Sequence, residues 1–169
     1  MRARGHAFEI AVAVALVAAT GGYLDSPRRH LVPVHAGDRC FRCDQFITDT
    51  ALAAEIVRPD GSFAYRFRTV GCLLQYLTQG GHLFDDVFVT DYRTGRFVPA
   101  TRATYVRTDV GWRTGAGATD YVAFRSARAA ARFADRVGTR ALSWAEVRDA
   151  SHLLVAMRSH PADVTVSGE

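Results

Sequence analysis

Cys40 and Cys43, the two ends of Cys40-Phe41-Arg42-Cys43, are the residues of this chain whose types and spacing can do chemistry. Thiols at this spacing can point at one centre, either to close a small disulfide or to clamp one soft metal ion. A redox dithiol needs a cysteine with a depressed pKa, usually at a helix N-terminus after a strand. Here the pair precedes the first expected strand, and no helix opens at Cys43. A structural zinc site needs four ligands. The chain offers one further thiol, Cys72, and no second Cys-x-x-Cys. Cu(I) is satisfied by two or three soft ligands in linear or trigonal geometry, so two thiolates and one more group suffice. His35, upstream of the pair, is a candidate third ligand and otherwise a solvated linker histidine. Cys72 sits among Val70, Leu73 and Leu74. It reads first as a small buried apolar residue and second as a ligand. A purely structural disulfide is the remaining reading of the pair.

The other polar and aromatic residues form no comparable constellation. Asp85-Asp86 and Asp91 bound a strand, where turn and capping roles explain them. His82, His152 and His160 are isolated, and Trp112 and Trp144 read as core or rim residues. The glycine-rich stretch from Gly111 to Gly117 lacks the Gly-Lys-Ser/Thr of a phosphate loop and reads as a flexible loop. No catalytic residue is expected. The net charge of +4 is carried by arginines spread along the chain, with no basic block interleaved with aromatics, so no nucleic-acid partner is expected.

The elements that must position the thiols follow from composition and period. At 169 residues and 49% apolar content the chain has the material for one ordinary domain or two very small ones. Arg2 and Arg4 precede an apolar run over residues 7–24, whose richest part, 10–19, has the length of a signal-peptide h-region. Residues 1–24 are expected to be a signal peptide or, uncleaved, a membrane anchor, with the rest of the chain extracytoplasmic. In that oxidising setting a Cys40–Cys43 disulfide is the expected resting form. Residues 25–38 read as a linker, 39–160 as the globular part and 161–169 as a polar tail.

Within the globular part, 51–57 and 62–68 are expected strands joined at Asp60-Gly61, a strong hairpin signal. Residues 70–77 have helical spacing with Thr69 as N-cap and Gly80-Gly81 as stop. Strands are expected at 84–90, 104–107, 121–124 and 140–142, and helices at 127–137 and 144–159. The chain also repeats itself. Phe67-Arg68-Thr69 matches Phe124-Arg125-Ser126 at an offset of 57 residues (124 minus 67), and at that offset Tyr76 meets Phe133 and Gly81 meets Gly138. This predicts an α+β fold of duplicated strand–strand–helix–strand half-domains, about 39–98 and 99–160. A cleft between the halves is the expected place for a site.

The ordered series of residues resembles the NosL family, the accessory proteins of nitrous-oxide reductase. It comprises Cys40-x-x-Cys43 with Phe46-Ile47, the Asp60-Gly61 turn, Tyr76-Leu77, the stretch from Val87 to Tyr92 and that from Ala103 to Val106. A glycine-rich loop, Ala123-Phe124-Arg125-Ser126, Phe133-Ala134 and Ser143-Trp144-Ala145-Glu146-Val147 complete it. The resemblance spans about 39–147 and implies two strand–strand–helix–strand halves. It also implies an extracytoplasmic Cu(I) chaperone that hands copper to a copper enzyme such as nitrous-oxide reductase, alongside membrane assembly components. Cys40 and Cys43 are the matching thiols. The family pattern is typically CxxCGM, whereas Asp44-Gln45 follows Cys43 here, and Gln45 is a harder ligand than methionine. The family's Pro-Met-Gly loop matches Arg113-Thr114-Gly115, and the usual lipoprotein cysteine is absent. Two other classes fit the same residues: a thiol–disulfide protein servicing metal-site cysteines, and a metal-free scaffold of this fold.

Overall fold

The structure, a computed structural model, describes residues 31, 33–58, 63–80, 86–110 and 119–159, with side chains through His152. The expected N-terminal apolar segment, the Asp60-Gly61 turn, Gly81, the 111–118 loop and the polar tail lie outside the described residues. Among the described residues no helix is long and apolar enough to cross a membrane.

A hairpin of β1 (Ala54–Val57) and β2 (Ala64–Phe67) opens the fold, with Ala54 opposite Phe67. Helix α1 (Val70–Thr78) follows. The Thr69 hydroxyl accepts from Cys72 N at 3.2 Å, satisfying one of the free amides of the first turn. Just past the helix Gly80 takes φ 82°, a conformation that glycine adopts without steric cost. Strand β3 (Asp86–Thr90) returns on the far side of β1, and β4 (Phe97–Pro99) extends the sheet to the order β2-β1-β3-β4, all antiparallel.

A second set repeats this course. β5 (Thr104–Asp109) pairs antiparallel with β6 (Thr119–Phe124). Ser126 caps α2 (Ala127–Val137), and Gly138 ends it in the left-handed region at φ 69°. β7 (Ala141–Leu142) then pairs on the other side of β5, giving the order β6-β5-β7. β1 lies between β2 and β3 as β5 lies between β6 and β7, and in each set the helix is inserted before the third strand. The closing helix α3 (Trp144–Ser159) begins with a capping box: Ser143 N donates to Glu146 Oε2 at 2.7 Å and Glu146 N to Ser143 Oγ at 3.3 Å.

The period-2 alternation of β5 and β6 divides the core. Tyr105, Tyr121 and Ala123 join the cluster that holds Leu73 and Leu74 of α1 and Val147 of α3. Their neighbours Val106, Val122 and Phe124 join Ala129, Ala130 and Ala134 of α2 on the other face. A strand covered on both sides reads as the continuous apolar run Tyr121-Val122-Ala123-Phe124. The sheets meet where Tyr92 N, past the end of β3, donates to Ala123 O at 2.8 Å.

The α+β class and the helices 127–137 and 144–159 match expectation. Two details differ. The strand expected over 51–57 starts at Ala54, because the Asp49 carboxylate accepts from Ala51 N and winds Thr50–Leu52 into a 3-10 turn. β4 was not expected. It has three residues and ends in Pro99, a residue tolerated on an edge strand because no further neighbour needs its missing N–H.

Candidate metal centre

Cys40 and Cys43 sit on a small knuckle whose backbone closes on itself. Cys40 N donates to Gln45 O at 2.9 Å, Asp44 N to Cys40 O at 2.9 Å, and Ile47 N to Asp38 O at 2.7 Å. The turn needs a residue at positive φ, and Asp44 supplies it at φ 55°. Asp44 occupies the glycine position of the CxxCGM pattern, and aspartate is among the few other residues that visit this region. Arg39 Nη1 reinforces the turn, donating to Asp44 O at 3.0 Å and to Asp44 Oδ2 at 2.9 Å. Phe41 N donates to Arg66 O at 2.7 Å, which ties the knuckle to β2. The Phe41 ring packs edge-on against Tyr65 and Tyr76, at centroid distances of 4.5 and 5.5 Å.

Cys72 comes from a different element. It is the third residue of α1, on the first turn, where unpaired amides and the helix dipole favour negative charge. The fold brings this turn against the knuckle. Cys43 Sγ and Cys72 Sγ lie 3.8 Å apart, and the sulfur atoms of Cys40, Cys43 and Cys72 all lie within 4.8 Å of one another. All three are free thiols; Cys40 is buried, and Cys43 and Cys72 are half-buried. The expected Cys40–Cys43 disulfide is therefore not formed here. Cys72 does pack against the core, as expected of a small apolar residue, but its sulfur also faces the other two.

The trio divides its charge unequally. Cys40 is pulled down to about 4, first by a hydrogen bond from Cys72, and further by the backbone N–H groups of Arg68, Cys43 and Arg42, against a desolvation penalty. The Cys72 thiol is pushed up, chiefly because it donates that hydrogen bond, then by burial and by the adjacent Cys40 charge. One thiolate is thus held inside the cluster by amide and thiol donors.

A second chain of contacts positions Cys72. Asp120 of β6 reaches across to α1, where its Oδ1 accepts from Gly71 N at 2.7 Å. Burial raises the pKa of this carboxyl, and hydrogen bonds from Thr69, Tyr121 and Gly71 oppose the rise. A side chain at 71 would strike the carboxylate, so the approach requires glycine.

The remaining candidates fall elsewhere. His35 is exposed, donates its backbone N–H to Asp38 Oδ2 at 2.8 Å, and is not among the residues gathered at the sulfurs. Gln45 is exposed and offers its carbonyl to Cys40. Thr114 lies outside the described residues. The thiols assemble within the first strand–strand–helix–strand unit, from the knuckle and α1, rather than in a cleft between the halves. Of the two candidate third ligands, His35 and Cys72, the fold brings Cys72 to the pair; its apolar neighbours had favoured a purely core role, while its place three positions after an N-cap puts it on a helix start. The role of Asp120 carries no sequence signal, whereas that of Asp44 is signalled by its place at the glycine position of the CxxCGM pattern.

Three thiols gathered in an α+β domain, with no other group of three or more potential ligands among the described residues, have the chemistry to hold one soft metal ion or to act as a dithiol. The NosL family model matches residues 31–152, and the chain belongs to the NosL family. Among solved structures it is similar to the crystal structure of the copper chaperone NosL from Shewanella denitrificans. That likeness has 16% sequence identity and a TM-score of 0.60, and covers 73% of this chain and 99% of that one. A search of curated proteins finds no match.

Proposed function

We propose that this protein carries one Cu(I) on Cys40, Cys43 and Cys72 and passes it to a copper-accepting enzyme, such as nitrous-oxide reductase, outside the cytoplasmic membrane. The observation that carries this reading is the three sulfurs within 4.8 Å of one another, drawn from two separate elements. Three thiolates in that space suit trigonal Cu(I), and Cys72 supplies the soft donor that Gln45 does not. The knuckle amides and the α1 N-terminus stabilise the negative charge of such a complex. No catalysis is needed, because delivery is ligand exchange. The half-buried Cys43–Cys72 edge is where an acceptor's ligands enter, while buried Cys40 holds the ion. The apolar N-terminal segment supports export or anchoring, with membrane assembly components as further partners. The shared strand order of the two sheets and the 57-residue repeat support an origin by duplication, with halves near 39–98 and 99–160.

A thiol–disulfide role draws on the lowered Cys40 pKa. A nucleophilic thiolate must also be reachable, and Cys40 is only 1% exposed, so the same observation favours metal storage. A competitive Cu(I) titration of the reduced protein against a chromogenic Cu(I) chelator tests the proposal. One tightly held ion, lost in Cys40→Ser/Cys43→Ser, is expected. No uptake by the native chain would sink the carrier reading and leave the thiol–disulfide role or the metal-free scaffold.

A further inference from the structure

A second concave site, with none of the thiols in its lining, lies between α2 and the turn after β3. Tyr92, Phe124 and Phe133 form its floor, a triangle of rings with centroids 5.8, 5.6 and 5.3 Å apart. Over them opens a cleft of about 260 Å³ whose walls include Arg93, Arg132 and Arg136. The Arg136 guanidinium stands 5.4 Å from the Phe133 ring centre. Arg132 and Arg136 are four residues apart on the exposed side of α2, and Arg128 continues the row. Like charges at this spacing repel along a helix, so the row costs stability unless negative charge offsets it.

Carboxylates of the described residues do not supply that offset. Arg39, Arg66 and Arg140 each hold one, but no such ion pair joins Arg93, Arg132 or Arg136. The nearby Asp91 carboxylate is turned inward, accepting from Arg125 N at 3.1 Å and from Thr94 Oγ1 at 2.6 Å. Asp135 is exposed on the same helix, and Asp109 lines the adjoining hollow. Three planar guanidinium forks over an aromatic floor suit a tetrahedral oxyanion, which can accept from several forks at once.

We propose that this cleft binds a phosphate group, either as a free phosphate or as the headgroup of an anionic lipid. The proposal is independent of the copper reading. Full-length protein is titrated with inorganic phosphate while the arginine Nε–H resonances are followed by NMR. In a second arm it is floated with phosphatidylcholine vesicles with and without phosphatidylglycerol. Each arm compares the native chain with Arg132→Ala/Arg136→Ala, with Arg132→Lys/Arg136→Lys, and with Arg102→Ala as an exposed control outside the cleft. Phosphate-induced shifts at Arg132 and Arg136, with affinity falling about tenfold or more in the alanine pair and unchanged in Arg102→Ala, identify a free-anion site. A gain in flotation on adding phosphatidylglycerol that the alanine pair abolishes identifies a lipid headgroup. The lysine pair keeps the charge, checks that loss of folding is not the cause, and should bind at an intermediate level if the forks matter. No response in either arm, or an equal loss in Arg102→Ala, overturns the proposal.

Discussion

Replacing Gly71 with alanine should destabilise this protein and loosen its thiol cluster, against the trend of helix propensity. Propensity alone favours alanine over glycine inside a helix by about 1 kcal/mol. At this position the new Cβ would lie 2.5 Å from Asp120 Oδ2 and 2.9 Å from both Cγ and Oδ1 of that residue. The carboxylate is held by hydrogen bonds from Gly71 N and Tyr121 N, so it can swing aside only by giving these up. Displacing it breaks the 2.7 Å hydrogen bond from Gly71 N. A desolvated carboxylate left unsatisfied costs about 1–3 kcal/mol. Forcing an extra carbon into a packed contact costs about another 1–3 kcal/mol. Subtracting the propensity gain leaves a net loss of about 1–5 kcal/mol, readable from the midpoint of urea unfolding of the reduced, metal-free protein. Cys72 is the next residue, so Cu(I) affinity in a chelator competition should fall as well. Asp120→Asn keeps an acceptor for Gly71 N and removes a charge that burial disfavours, so it should cost less than Gly71→Ala. A Gly71→Ala protein as stable as the native one would refute the reasoning, because the carboxylate would then be yielding freely and could not be positioning α1.

Cys72→Ser should lower Cu(I) affinity about 100-fold or more while changing stability by less than about 1.5 kcal/mol; an unchanged dissociation constant in the chelator titration would remove Cys72 from the site. Apparent Cu(I) affinity should rise with pH between about pH 6 and 8, because the raised Cys72 thiol must release its proton to ligate, whereas Cys40, lowered to about 4, is already a thiolate. A flat profile would contradict that division of charge. Glu146 is lowered from 4.5 to about 2 by the hydrogen bond from Ser143 N first, then by Arg140 and the Ser143 hydroxyl. Its folded pKa lies below its unfolded value, so its support for the start of α3 is present above pH 4.5 and lost as the pH falls through about 2. NMR titration of the Glu146 carboxyl near its ordinary value would show the capping box to be unformed.

Local signals explain how much of the fold was readable. Thr69 and Ser126 announce their helices by side-chain chemistry that acts within three residues, and Gly138 ends α2 through its own backbone freedom. Apolar periodicity and turn residues indicated the order of strands and helices before any pairing was known. What stayed hidden depends on residues distant in sequence. β4 exists because Thr90 has Phe97 to pair with, not because three residues have strong strand character. Cys72 meets Cys43 across 29 positions, and Asp120 meets Gly71 across 49. The Cys-x-x-Cys spacing announced two of the three thiols because both lie in one tight turn. The third is placed by the way α1 docks, which no local pattern specifies.

That division between local and distant ligands bears on how a carrier of this build would work. Cys40 and Cys43 are held mainly by a knuckle that closes within residues 37–47, with one backbone tie from Phe41 N to Arg66 O of β2, so their spacing is set largely by local structure. Cys72 is held by α1, and α1 is held in turn by Asp120 of the second sheet and by the core around Leu73 and Leu74. In the proposed complex a bound Cu(I) links these two parts, so copper loading should stabilise the folded chain in proportion to its affinity. Release then has a natural order. In the proposed exchange an acceptor would meet the half-buried Cys43–Cys72 edge first and displace those thiolates, while Cys40, buried and supported by three backbone amides, would leave last. A site made of the knuckle alone would lack the helix-borne ligand and bind more weakly. One with all three thiols buried would block the incoming ligand, so one deep and two half-buried thiolates are the arrangement that would suit a carrier that must both hold copper and let it go.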